Sequence, residues 1–587
     1  MSTACLVLLS LSTLLTFNAY SQELPTLAAE RSKITIPAYT AGDRQTVADQ
    51  AVVLLRDMYV NLDAKKKDFG YDPIPQLLQI QKNAATMADG EFHDQLNTLF
   101  NGLRDYQHTK YYYPRPRFCY ESDLSVYFDY YYAAGGERKV GVTGIDASRA
   151  ARIPDLTKIT LGDTLIEFSG RDPQLVLAEL GHTEPGSNPG SQERRGLFIL
   201  SDRPHKWVAV PLNDFEDLKL QRPDGSQYSV RVPWLEVIPG NCLSASEEPA
   251  RARMNPARDE LKNPRAGHFS HLSATKARSS TGGVLAPQVP VAVVLQTPVV
   301  IAEPADLSNM IDTQIDVVHY KTVRNAWGNF GVIRITMFQA DGNVTIDSVV
   351  RGLVQKELKD TDGLIFDVRG NPGGWLNEGE MLLQYFSAKK IETLDFQLRT
   401  TQANLAFLKT TWPEDEFSGL LEKAKAAGLP YSYLGKITSV ADANSTGRIY
   451  NKPVAVLTDG GCYSTCDAFS AGMQDAGLAE LWSADERTGG GGANVIHQNE
   501  FLAWSNANPP LDENGKHLFV KLPGGQDMKI AWRRAVRIGP HAGQLIEDAG
   551  VVVEHRLRPS QNDLAHYDTD TLALITADLM KGRKPNQ

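Results

Sequence analysis

The 587 residues carry 60 Lys and Arg against 70 Asp and Glu, a formal charge of −10. With 42% hydrophobic and 22% charged residues, the composition is that of a folded protein of about three or four domains. The acidic balance argues against nucleic acid as the main partner, since phosphate binding needs a basic surface, and gives no sign of a polybasic membrane patch.

The chain opens on MSTACLVLLSLSTLLTFNAYS, residues 1–21. An apolar run ending in small and polar residues reads as a secretory signal peptide, although a charged leading region is missing. The alternative is a short membrane anchor, for which the run is short. No later stretch reaches transmembrane length, so a secreted or periplasmic protein without stable membrane insertion is expected. Cys119, Cys242, Cys462 and Cys466 then allow three pairings, and their scatter makes a weak zinc set.

Residues 22–134 read as a helical region, from apolar spacing of three and four in QTVADQAVVLLRDMYVNL and GEFHDQLNTLFNGLRDY. Near its end, RDYQHTKYYYP carries His108, which on its own reads most simply as a structural histidine. Residues 135–240 switch to short β-rich runs with a Pro-Asp-Gly hairpin signal, a small β domain. Residues 241–290, rich in Ser, Ala, Arg, Pro and Asn, read as a linker and as a candidate cleavage site of a proenzyme. From 291 to 587 strands alternate with helices, an α/β domain interrupted by a partly helical insertion at 400–450. No fixed-period repeat is present.

Two stretches of the α/β region carry chemistry. In GLIFDVRGNPGGWLNEG, 363–379, a strand enters a turn of Gly370, Asn371, Pro372, Gly373 and Gly374, then a helix. Such a turn leaves outward amides at a positive helix end, able to hold an oxyanion; the plainer reading is a tight turn. In VAVLTDGGCYSTCDAFSAGMQD, 454–475, Ser464 falls at a strand-to-helix junction, with the Thr465 amide beside it. Ser464 there is an N-cap or a nucleophile; the Gly-x-Ser-x-Gly elbow spacing is absent.

Together DVRGNPGG and GGCYSTCDAFSAGMQD resemble the two signature stretches of the tail-specific, or C-terminal-processing, serine proteases. The resemblance implies a crotonase/ClpP-like protease core of repeated β-β-α units, with Ser464 as nucleophile and Gly373, Gly374 and Thr465 as oxyanion donors. Many bacterial members of that family use a lysine base after the nucleophile helix. Here that segment is ERTGGGGANV, without lysine, and the next lysine is Lys516. The tricorn-like branch uses a histidine from the N-terminal helical region and a late glutamate instead. LRDYQHTKYYYP and QLIEDAGVVVEHRLRPSQNDL are similar to those segments, which places the base on His108 and its partner on Glu547; Gln107 stands where the branch can carry an auxiliary serine. LGDTLIEFSG resembles half of a PDZ domain, so the β domain is expected to be PDZ-like, binding peptide termini or only packing. Cys462 and Cys466 flank Ser464 and are expected to pack or to form a disulfide.

The expected function is therefore a serine endopeptidase with a Ser-His-Glu mechanism, protein or peptide substrates, no cofactor and no metal. A non-catalytic binding protein on the same scaffold, and an esterase using the same triad, are the alternatives. Homo-oligomerisation is left open.

Overall fold

In the computed structural model, residues 24–106, 108–238, 242–243, 309–340 and 344–581 are described. The signal-peptide stretch, Gln107 and nearly all of the 241–290 linker lie outside them.

The N-terminal third begins with helices whose apolar faces are read directly from spacing. Ala41–Val52 starts at a capping box of Thr40 and Asp43, and Asp89–Asn101 buries Phe92, Leu96, Leu99 and Phe100 on one side. The helices stop at Asn101, earlier than the region expected to 134. The tyrosine-rich sequence beyond forms strands instead. Lys110–Tyr111 is a two-residue strand, and Val126–Tyr132 opens a five-stranded antiparallel sheet. The strand VYFDYYY is rich in aromatic residues, and its burial alternates over most of its length, as in a half-buried strand.

That sheet continues through Arg138–Ile145, Thr164–Phe168, Phe215–Gln221 and Gln227–Pro233. The Pro-Asp-Gly turn joins the last two strands, with Gly225 at φ 88°. Helices Pro173–Thr183 and Pro189–Ser201 pack with it.

The α/β core holds a seven-stranded sheet. Gly328–Ile335, Gly363–Asp367, Val454–Leu457, Glu480–Ser483 and His555–Arg556 run parallel in that order, with Val318–Asn325 and Ile311–Asp312 antiparallel at one edge. Val318–Asn325, Gly328–Ile335 and helix Ile346–Gln355 make the first β-β-α unit. Gly363–Asp367 and Val454–Leu457 are buried at every residue, as befits strands covered on both faces. Each ends in a turn that leads to a short helix, so the carboxyl ends of two adjacent strands present the two motif turns side by side. The insertion contributes helices Gln402–Thr411 and Glu416–Ala426.

A second sheet joins Lys110–Tyr111, Met528–Val536, Asp395–Leu398 and Ala493–His497. Its pairing Lys110↔Lys529 and Tyr111↔Met528 pins the segment just after His108 onto the core, more than 400 residues later in the chain. The cysteines pair as Cys119–Cys242 and Cys462–Cys466. Among the described residues no helix is long and apolar enough to cross a membrane.

Candidate active site

Ser464 precedes helix Thr465–Asp475 at φ 59° and ψ −120°. Non-glycine residues rarely adopt that conformation, and it persists only where the surroundings enforce it. Here they do. The Cys462–Cys466 disulfide closes the turn around Ser464. Asp459 accepts the Gly461 and Cys462 amides, each at 3.0 Å, and the Gly370 amide at 2.8 Å, tying the nucleophile turn to the glycine turn. Asn371 joins them again, its carbonyl accepting the Tyr463 amide at 2.9 Å. Ser464 does not cap its helix with its side chain, which leaves the hydroxyl uncommitted to that role. It is half-buried in an otherwise buried turn.

The glycine turn lies directly on Ser464. A Cβ on Gly373 would stand 2.4 Å from the Ser464 Cβ and 2.9 Å from the Thr465 nitrogen, at a φ of 104° that already favours glycine. The Gly373 amide itself donates to Asn371 Oδ1 at 2.8 Å, so of the two glycines expected as donors it is Gly374 whose amide is left over. Thr465 is the first residue of its helix, where no preceding turn accepts its N–H. Its hydroxyl donates to the Gly374 carbonyl at 2.8 Å and locks the two turns together.

The segment that lacks the lysine has a different task. Asp467 in the nucleophile helix accepts the Gly490 amide at 3.0 Å, the Gly491 amide at 2.7 Å, the Thr488 hydroxyl and the Ser464 amide. Burial pushes its carboxyl up to about 6, against the pull of these donors. A Cβ on Gly491 would fall 2.3 Å from the Tyr463 ring, so glycine is what lets that ring lie here. Lys516 is exposed.

His108 is 3% exposed and sits edge-on to the ring of Tyr463, the residue before Ser464, with centroids 4.6 Å apart. Glu547 is beside it: donor atoms of His108, Glu547 and Asp105 all lie within 4.8 Å of one another. The structure thus gathers Ser464, Thr465, Gly373 and Gly374 in one turn pair, and sets His108, with Glu547 beside it, against the ring of Tyr463. Glu547 Oε2 accepts the Gly492 amide at 3.1 Å, and Oε1 meets Lys65 Nζ at 3.3 Å. Lys65 also reaches Asp548 at 2.5 Å. Despite complete burial the three carboxylates Glu547, Asp105 and Asp548 hold Lys65 above its ordinary value, so it is a fixed cation and no base. A His with two carboxylates is also a metal-ligand set, but the ammonium of Lys65 already takes the cation's place. A second such set, Glu480, His555 and Asp578, lies toward the surface, outside this site.

Sequence reading missed Asp105 and Lys65. Asp105 had a local signal, three residues before His108. Lys65 had none, because helix Leu62–Phe69 meets the site only through the tertiary fold. The turn that holds Asp105 carries two left-handed non-glycine residues, Arg104 (φ 55°) and Tyr106 (φ 36°), and Asp548 (φ 62°) is another. Such conformations gather at functional sites.

Residues 329–502 match the model of peptidase family S41. Over that stretch the protein carries a serine-type peptidase segment of this family. No curated protein sequence matches it. Among solved structures, mature CPAF overlays at a TM-score of 0.60 and 17% identity, covering 93% of this chain and 99% of that one. Mature CPAF complexed with lactacystin gives 0.59 and 17%, covering 92% and 99%. The photosystem II D1 C-terminal processing protease gives 0.36 and 12%, covering 89% and 94%. The S41 match spans both motif turns, whereas His108 and Glu547 lie outside it.

Proposed function

We propose that this S41 peptidase is an endopeptidase working through Ser464, His108 and Glu547. Ser464 Oγ attacks the scissile carbonyl and His108 takes its proton. The Gly374 and Thr465 amides hold the oxyanion. The imidazolium then protonates the leaving amine, and water, activated by the same imidazole, hydrolyses the acyl-enzyme. Glu547, fixed by Gly492 and Lys65, steadies the imidazolium. The observation that carries this reading is the Ser464 conformation, held by a bridged turn against a glycine that has no room for a side chain.

A cleft beside Ser464 is lined by Leu376, Phe396, Ile437, Ala468, Ala535 and Ile546. These walls accept an apolar side chain next to the cleaved bond; Asn494 and Thr465 are the polar side chains of the lining besides Ser464, and it carries no charged residue. The β domain reads as a PDZ-like packing domain, since the Tyr132 amide on its edge strand already donates to the Pro559 carbonyl at 2.7 Å. The two disulfides favour an oxidising compartment and so support export.

Casein hydrolysis by the purified protein, beside a Ser464→Ala control, tests the activity. Cleavage lost in the control is the expected result. Equal cleavage removes Ser464 from the reaction, and none in either sample favours a binding protein. A peptide series with Leu, Lys or Asp before the cleaved bond tests the cleft, with Leu expected to be preferred.

A further inference from the structure

Asp105 is 2% exposed and has a defined place in the base cluster. Its Oδ2 accepts the Thr109 hydroxyl at 2.6 Å, and Thr109 Oγ1 in turn accepts the Ala531 amide at 3.0 Å, which fixes the carboxylate to the core strand Met528–Val536. Its Oδ1 is buried inside the 4.8 Å set that includes His108 and Glu547, with the Glu547 carboxyl as its close neighbour. We propose that Asp105 is a second positioning residue for His108, paired with Glu547 so that either carboxylate can face the imidazole, with Lys65 as their counter-cation. This rests on the reading of His108 as the base.

Two buried carboxylates in contact do not both ionise freely; they hold one proton between them. Burial and the neighbouring Asp105 push Glu547 well up. Asp105 stays below the ordinary carboxylate range despite burial, because Lys65, Glu547, His108 and Thr109 all favour its charge. The charged groups facing the cluster are Lys65 from helix Leu62–Phe69 and Asp548 from the late turn, with Lys110 and Lys529 of the paired strands within electrostatic reach of Asp105; the phenols of Tyr59 and Tyr463 are pushed well up by burial. In this arrangement one negative charge faces the imidazole. Removing one carboxylate passes that charge to the other, and only removing both takes it away.

The experiment is a double-variant cycle of Asp105→Asn and Glu547→Gln. It reads the pH profile of kcat/KM on a peptide and the rate of Ser464 labelling by a fluorophosphonate. Lys65 keeps Asp548 as a partner in every variant, so no ammonium is stranded. Each single variant is expected to lose about tenfold in kcat and to keep its acid limb within about half a pH unit. The double is expected to lose about 10³-fold and to move its acid limb down by about one unit, because an uncompensated imidazole gives up its proton more easily. A double variant no worse than Glu547→Gln alone overturns the proposal. Should the double fail to fold, the His108 ring titration by NMR in Ser464→Ala and Ser464→Ala/Glu547→Gln decides. A pKa conserved within half a unit supports Asp105 as the remaining charge, and a fall of a full unit overturns it. A His108→Ala protein that labels at the wild-type rate takes down the base assignment itself, a result distinct from either.

Discussion

The Ser464 half and the His108 half of this site, nucleophile and base in the proposed reaction, are built in opposite ways. The nucleophile half is two turns at the ends of neighbouring strands, 370–374 and 459–464, held by backbone amides, one disulfide and glycines that permit contact. The base half takes Lys65 and His108 from the N-terminal region and Glu547 and Asp548 from near the other end, and it is held by charge. Geometry that depends on main chain tolerates little change in shape. Geometry that depends on charge tolerates little change in protonation.

Removing the nucleophile is the largest single blow to the first half. Ser464→Ala is expected to lower turnover by at least ~10³-fold with the melting temperature nearly unchanged, checked by peptide kinetics beside thermal melting. Gly373→Ala comes next. Its methyl meets Ser464 Cβ and the Thr465 nitrogen, both main-chain-bound, so the turns must part and kcat is expected to fall by about 10²-fold.

The disulfides separate the halves in another way. Cys119–Cys242 spans 123 residues and Cys462–Cys466 spans four. Loop-closure entropy then assigns about 5 kcal/mol of stability to the first and about 2 kcal/mol to the second. Replacing each pair by Ser should therefore lower stability more for the long bridge and activity more for the short one. Denaturant unfolding and kcat measured on both variants check this.

The smallest effect is a matter of pH. Glu380, on helix Leu376–Leu382 after the glycine turn, is 1% exposed; burial raises its carboxyl to about 7, with Leu394 N–H bound at 2.8 Å. A folded value above the unfolded one favours the protonated fold. That stability is fully present below about pH 4.5 and is lost as pH rises through about 7. Glu380→Gln should leave stability unchanged near pH 4.5 and raise it by about 1–3 kcal/mol at pH 8, read from denaturant midpoints at the two values.

The same contrast explains what the sequence made legible. Ser464, Thr465 and the two glycines stand in contiguous stretches, where strand, turn and helix follow from residue type and order. The alternation of the core strands and the Pro-Asp-Gly hairpin were equally local. His108 and Glu547 became visible only through family resemblance, since nothing in RDYQHTK or QLIEDAG distinguishes a base from a packed ring or a surface carboxylate. Lys65 stayed hidden because a lysine on an amphipathic helix ordinarily faces water, and only the tertiary fold buries it between Glu547 and Asp548. The switch from helix to strand after Asn101 was missed because the tyrosine run satisfies either pattern until its partner Met528–Val536 is known.

The central claim is that Ser464 is activated by His108. Fluorophosphonate labelling of wild type and His108→Ala, with the adduct located by peptide mass mapping, tests it most directly. The account predicts a single adduct on Ser464 in the wild type and labelling at least about 10²-fold slower without the imidazole. An adduct on another residue, or equal labelling rates in the two proteins, would contradict it.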